Sequence, residues 1–149
     1  NTDYVTFNNT STPTTFTLSL YGRNQQVNVY EKLVFSGWNQ VDPVELINEG
    51  LISGVSAEVA ALTIDGDYPY GITLINNGRI EGASGYKVSA NVDGDPGNAI
   101  NAGVECVITN NSDGIIFGGN NVSGGSDGYA IFGIDYVTLT NNGQIGSTI

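Results

Sequence analysis

Ile72-Thr-Leu-Ile-Asn-Asn-Gly-Arg-Ile-Glu-Gly82 decides the fold of this chain. It is a β-branched run, an Asn, a Gly-bearing turn, and a short second apolar stretch closed by Gly. Three other stretches repeat the pattern: Val44-Glu-Leu-Ile-Asn-Glu-Gly-Leu-Ile-Ser-Gly54, Cys106-Val-Ile-Thr-Asn-Asn-Ser-Asp-Gly-Ile-Ile-Phe-Gly-Gly119 and Val137-Thr-Leu-Thr-Asn-Asn-Gly-Gln-Ile-Gly-Ser147. The leading Asn recurs at Asn48, Asn76, Asn110 and Asn141, at intervals of 28, 34 and 31 residues. Self-similarity at such a period signals stacked supersecondary units, each burying its apolar face only against its neighbours.

A second element precedes each Asn turn. Gly97-Asn-Ala-Ile100 and Gly128-Tyr-Ala-Ile131 share Gly-x-Ala-Ile, and Gly103-Val-Glu-Cys-Val-Ile108 matches Gly133-Ile-Asp-Tyr-Val-Thr138. About three short strands per ~30 residues is the content of one coil of a parallel β-solenoid, or β-helix. Helix signals are nearly absent: Gly or Asn interrupts every three- and four-residue apolar spacing, and residues 55–62 alone have room for a turn or two.

Residues 1–40 have another texture. Tyr4-Val-Thr-Phe7, Thr14-Thr-Phe-Thr-Leu-Ser-Leu-Tyr21, Val27-Asn-Val-Tyr30 and Lys32-Leu-Val-Phe35 alternate apolar and polar residues with period two. That pattern predicts half-buried antiparallel strands. The expectation is therefore an all-β chain: an antiparallel segment over 1–40, joined at Ser36-Gly-Trp38-Asn to a solenoid block over 41–149. A stack this short has two open edges, which calls for a cap or for self-association.

Four Lys and Arg against fifteen Asp and Glu give a formal charge of -11. Arg23, Lys32, Arg79 and Lys87 are scattered singly, so the counterion release that drives nucleic-acid or anionic-membrane binding has no cluster to act through. The chain contains no His, which removes Ser-His-Asp and Cys-His catalysis together with His-based metal sites. Its one Cys, Cys106, cannot form an internal disulfide and reads as a small buried hydrophobe. No run reaches the ~18 apolar residues of a membrane helix. The start at Asn1-Thr-Asp, with no initiator Met, suggests a fragment of a longer polypeptide.

Candidate sites follow from residue type. Asn48, Asn76, Asn110 and Asn141 are expected to stack as an internal amide ladder, since Asn suits tight turns and its amide bonds to an identical amide one coil away. Asn91-Val-Asp93-Gly-Asp95 has the alternating oxygens of half a calcium loop without its closing bidentate Glu, leaving Asp93 and Asp95 as a weak calcium pair. Asp-Gly is equally an ordinary tight turn. Glu105 and Asp135, taken as equivalent coil positions, are the one candidate carboxylate pair for sugar hydrolysis. Tyr68, Tyr70, Tyr86 and Tyr129 fall in loops and are expected as exposed contact residues, whereas Phe117, Phe132 and Tyr136 are expected to fill the core. No cofactor is implied.

Gly37-Trp-Asn-x-x-x-Pro-Val44, the Ile75 to Gly82 unit Ile-Asn-Asn-Gly-x-Ile-x-Gly, and the closing Gly128-Tyr-Ala-Ile-x-Gly-x-x-Tyr-Val-Thr138 together resemble the C-terminal receptor-binding region of the host-specificity tail-tip proteins, or central tail fibres, of lambda-type siphophages. The resemblance spans residues 36–149. Long poly-Gly runs of that family are shortened here to Gly118-Gly119 and Gly124-Gly125. The resemblance implies a homotrimer at the distal end of a phage tail in the virion, contacting an outer-membrane protein or glycan of the host without enzymatic chemistry or membrane insertion. Autotransporter passenger domains share the Asn-Asn-Gly-x-Ile-x-Gly repeat, so an adhesin on the bacterial cell surface is the alternative. A tailspike glycan depolymerase and a structural decoration protein are two further readings.

Overall fold

The computed structural model describes residues 6–7, 26–29, 34–36, 44–55, 57–65, 72–89, 92–103, 105–122 and 125–147, which are all-β. Sixteen strands, numbered in chain order, make three parallel sheets and one hairpin. The first sheet holds β4 (Val44–Asn48), β7 (Ile72–Asn76), β12 (Cys106–Asn110) and β15 (Thr138–Asn141). The second runs through β2 (Gln26–Val29), β5 (Leu51–Gly54), β8 (Arg79–Glu81), β13 (Ile115–Gly118) and β16 (Gln144–Ser147). The third runs through β1 (Thr6–Phe7), β3 (Val34–Ser36), β6 (Leu62–Asp65), β11 (Ile100–Ala102) and β14 (Ile131–Gly133). The chain thus visits the sheets in turn, and from β4 to β13 each strand of these three sheets pairs in parallel with its equivalent one repeat later.

In-register pairing stacks like on like. Leu46, Leu74, Ile108 and Leu139 form one column, and Ile52, Ile80, Ile116 and Ile145 another. Leu62, Ile100 and Ile131 form a third. Their central members are fully buried, and each such side chain contributes about 1.5–3 kcal/mol of transfer free energy. The buried-exposed alternation of β7 and β12 shows why the runs read as β: every second residue enters the core. Cys106 lies in this core, where burial pushes its thiol up to about 12.

The antiparallel expectation for residues 1–40 is corrected where that segment is described. β2 pairs in parallel with β5, β3 with β6, and β1 with β3. Period-two alternation reports that a strand has one buried face but carries no information on direction. Residues 57–61 are turns and bends leading into β6, so the short helix allowed there does not form. The one antiparallel pair among the described residues is the hairpin of β9 (Tyr86–Ser89) and β10 (Val92–Gly94). It inserts between β8 and β11 without disturbing the register on either side.

Candidate recognition surface

The Asn turns organise one corner of the stack. Asn48 Nδ2 donates to Asn76 Oδ1 at 2.7 Å, Asn76 Nδ2 to Asn110 Oδ1 at 2.8 Å, and Asn110 Nδ2 to Asn141 Oδ1 at 2.9 Å. The same Nδ2 atoms also reach the carbonyls of Gly50, Gly78 and Gly114 in their own turns and of Arg79, Ile115 and Gln144 one repeat later. Asn48, Asn76 and Asn110 are buried, and among the described residues no buried side-chain polar atom lacks a partner. A second, outer rung joins Asn111 Nδ2 to Asn77 Oδ1 at 2.7 Å. Gly is required in these turns because the backbones touch: a Cβ at Gly78 would collide with the Gly50 carbonyl oxygen. These residues hold the scaffold and leave little amide capacity for a ligand.

A shallow groove of about 420 Å³ runs along this corner past Glu49, Asn77, Asp113 and Gln144. Arg79, the one cation among the described side chains, is tied down beside it. Its Nε donates to Glu81 Oε2 at 2.6 Å, and its guanidinium lies 5.6 Å from the Phe117 ring centroid. Phe117 is half-buried on the outward side of β13, not in the core as the sequence led us to expect.

The opposite character appears on the last described turn. Tyr129 is 63% exposed, Phe132 45%, Ile134 71% and Tyr136 74%. Phe132 and Tyr136 therefore do not fill the core, and the reason is register. Ile131 pairs with Ile100 and Asn141 with Asn110, both 31 residues apart. Phe132 then follows Thr63 and Asn101 in an outward column, and the same 31-residue register makes Tyr136 the counterpart of Glu105, whereas Val137 packs against the core. Glu105 and Tyr136 share a left-handed backbone, with φ of 53° and 48°. The Asn interval of 31 carried this signal; matching Gly103 to Gly133 uses 30 and slips every side chain to the other face. The same slip dissolves the Glu105/Asp135 pair, because at an interval of 31 the counterpart of Glu105 is Tyr136 and not Asp135.

Tyr129 and Phe132 touch, with ring centroids 5.7 Å apart. On one side of the pair is a polar depression of about 380 Å³ lined by Asp95, Pro96, Asn98, Asn121, Asp127 and Tyr129, among others. On the other is an apolar one of about 230 Å³ lined by Ile64, Gly103, Phe132 and Ile134 with Thr63 and Asn101. The polar depression is built from hydrogen bonds across turns. Asn98 Oδ1 accepts the Tyr129 N–H at 2.8 Å, while Asn98 Nδ2 donates to Asn101 Oδ1 at 2.8 Å. Asp127 Oδ1 accepts the Asn121 N–H at 2.8 Å, and this bond, aided by the Ser147 hydroxyl, holds its carboxyl below the ordinary range.

Of the expected contact tyrosines, Tyr129 stands on this surface, Tyr86 belongs to β9, and Tyr68 and Tyr70 lie outside the described residues. Asp93 is in β10 and Asp95 is exposed at the polar depression. No three His, Cys, Asp or Glu among the described residues gather as a metal site. No protein-family model, curated protein or solved structure matches the chain.

Proposed function

We propose that the chain is an adhesion module of a bacteriophage tail tip, which folds as a parallel β-solenoid and docks a bacterial outer-membrane molecule without enzymatic chemistry. The observation that carries the reading is the exposed strip Tyr129, Phe132, Ile134 and Tyr136. Large apolar and aromatic side chains gathered on a surface mark an interaction site, and Tyr gives contact area at low entropic cost. Tyr136 is held there in a strained left-handed backbone, the kind of strain that clusters at functional positions. The resemblance of residues 36–149 to siphophage tail-tip receptor-binding regions points the same way. The solenoid reading is supported by the cyclic visiting of three parallel sheets.

In this reading three copies associate about the tail axis, with the strips facing the host. The test is binding of fluorescently labelled protein to a panel of Gram-negative cells, with the triple variant Tyr129→Ser, Phe132→Ser, Tyr136→Ser as comparison. The proposal expects the parent to stain at least one host and the variant to lose staining while keeping its far-UV spectrum. Equal staining by a folded variant overturns it. A monomeric mass in sedimentation equilibrium overturns the trimer.

A further inference from the structure

The strip is flanked by charge of one sign. Asp95 and Asp127 line the polar depression beside Tyr129, and Asp135 is exposed between Ile134 and Tyr136. No Lys or Arg is among the described residues lining either depression. The whole chain carries -11.

From this geometry we infer that the strip receives an extended, basic segment of a partner protein: an Arg or Lys enters the Asp95–Asp127 depression against Tyr129, and a neighbouring apolar side chain enters the Phe132–Ile134 depression. The inference deepens the adhesion reading and rests on it. Three features select this occupant. Carboxylates facing a half-enclosed depression match a guanidinium, which bonds oxygens in a fork and stacks on an aromatic ring. The long aliphatic stem of such a side chain covers apolar surface while its charged head stays at the polar end, and the Tyr129–Phe132 pair lies between the two depressions as the ridge for that stem. An anionic surface such as phosphate-rich lipopolysaccharide meets like charge here, which costs affinity and slows encounter.

The test uses the whole chain, ¹⁵N-labelled, titrated with a capped Gly-Arg-Thr-Leu-Gly peptide and with the same peptide carrying neutral citrulline for arginine. The expected result is saturable shifts confined to residues 95–103 and 121–136, with affinity at least ~5-fold weaker for citrulline, for Asp95→Asn, and at 300 mM salt. Glu49→Gln, which removes the same charge at the Asn-turn corner, leaves the titration unchanged. Equal shifts from the citrulline peptide, an unaffected Asp95→Asn, or shifts spread over other turns overturn the inference. Cell staining separates the two levels. If Asp95→Asn stains hosts like the parent while the strip variant does not, the basic-ligand inference fails alone. If neither change weakens staining, the adhesion reading fails with it.

Discussion

Replacing Asn76 tests whether the amide ladder holds the stack together. In Asn76→Ala, Asn48 Nδ2 loses its 2.7 Å acceptor and Asn110 Oδ1 loses its 2.8 Å donor, while the carbonyls of Gly78 and Ile115 lose a shared N–H. Two well-made side-chain bonds at about 1 kcal/mol each, plus about 1–3 kcal/mol for stranding a buried amide oxygen, give about 3–5 kcal/mol. That is a large share of the roughly 5–15 kcal/mol that holds a domain folded. Asn141→Ala removes the exposed last rung and should cost about 1 kcal/mol or less. Asn76→Asp is the sharper probe. A carboxylate still accepts from Asn48, but it opposes three oxygens where the amide donated: Asn110 Oδ1 and the carbonyls of Gly78 and Ile115. Its folded pKa must be raised, so the excess cost over Ala is fully present at neutral pH and shrinks as pH falls through that value and one donor returns. Urea unfolding followed by far-UV circular dichroism at pH 7 and pH 4 measures all three variants. The reasoning fails if Asn76→Ala lies within 1 kcal/mol of Asn141→Ala, or if Asp is milder than Ala at pH 7.

Other positions give independent checks. With the Cys106 thiol raised from 9.0 to about 12, the unfolded chain ionises first as pH rises, so stability is level below about pH 9 and then falls by up to about 1.4 kcal/mol per unit until pH 12. Cys106→Ala should remove that part of the alkaline slope in urea titrations. Glu105→Gly relieves a left-handed backbone and, net of glycine's chain-entropy cost, should raise the unfolding midpoint by the equivalent of about 0.5–1 kcal/mol. Gly78→Ala, with no room for its Cβ, should separate the first two Asn turns and lower the midpoint markedly. Asp127 is held below the ordinary carboxyl range, so its tie to the Asn121 N–H is present above that range and lost as pH falls through the depressed value. The Asn121 amide shift in an acid NMR titration should report a midpoint below the ordinary Asp range.

Much of this fold was legible in the chain because parallel stacking writes its register into the sequence. Equal neighbours must meet, so the Asn, Leu and Ile columns recur at one interval in adjacent strands. Two things were not legible. The direction of β1, β2 and β3 was one, because period-two alternation reports a buried face and is blind to direction. The surface was misread because Phe132 and Tyr136 are apolar types that usually sit inside, and a match slid by one residue agreed with that habit. Where the Asn interval fixed the frame, as for Asn110 and Asn141, the reading was sound.

The amide ladder also has a direction. Every rung runs from Nδ2 of one Asn to Oδ1 of the next, so the side-chain dipoles add, and the last amide of the ladder, the exposed Asn141, donates to the Gly143 carbonyl at 3.4 Å. Chains of aligned hydrogen bonds polarise one another, which makes that terminal N–H a better donor than an isolated Asn. Such an end is vectorial. A strand added above it in the same sense offers Oδ1 to N–H and extends the line, whereas a dyad-related copy would bring donor against donor. The fold therefore discriminates between head-to-tail and head-to-head contacts at this end by the polarity of a single file of amides.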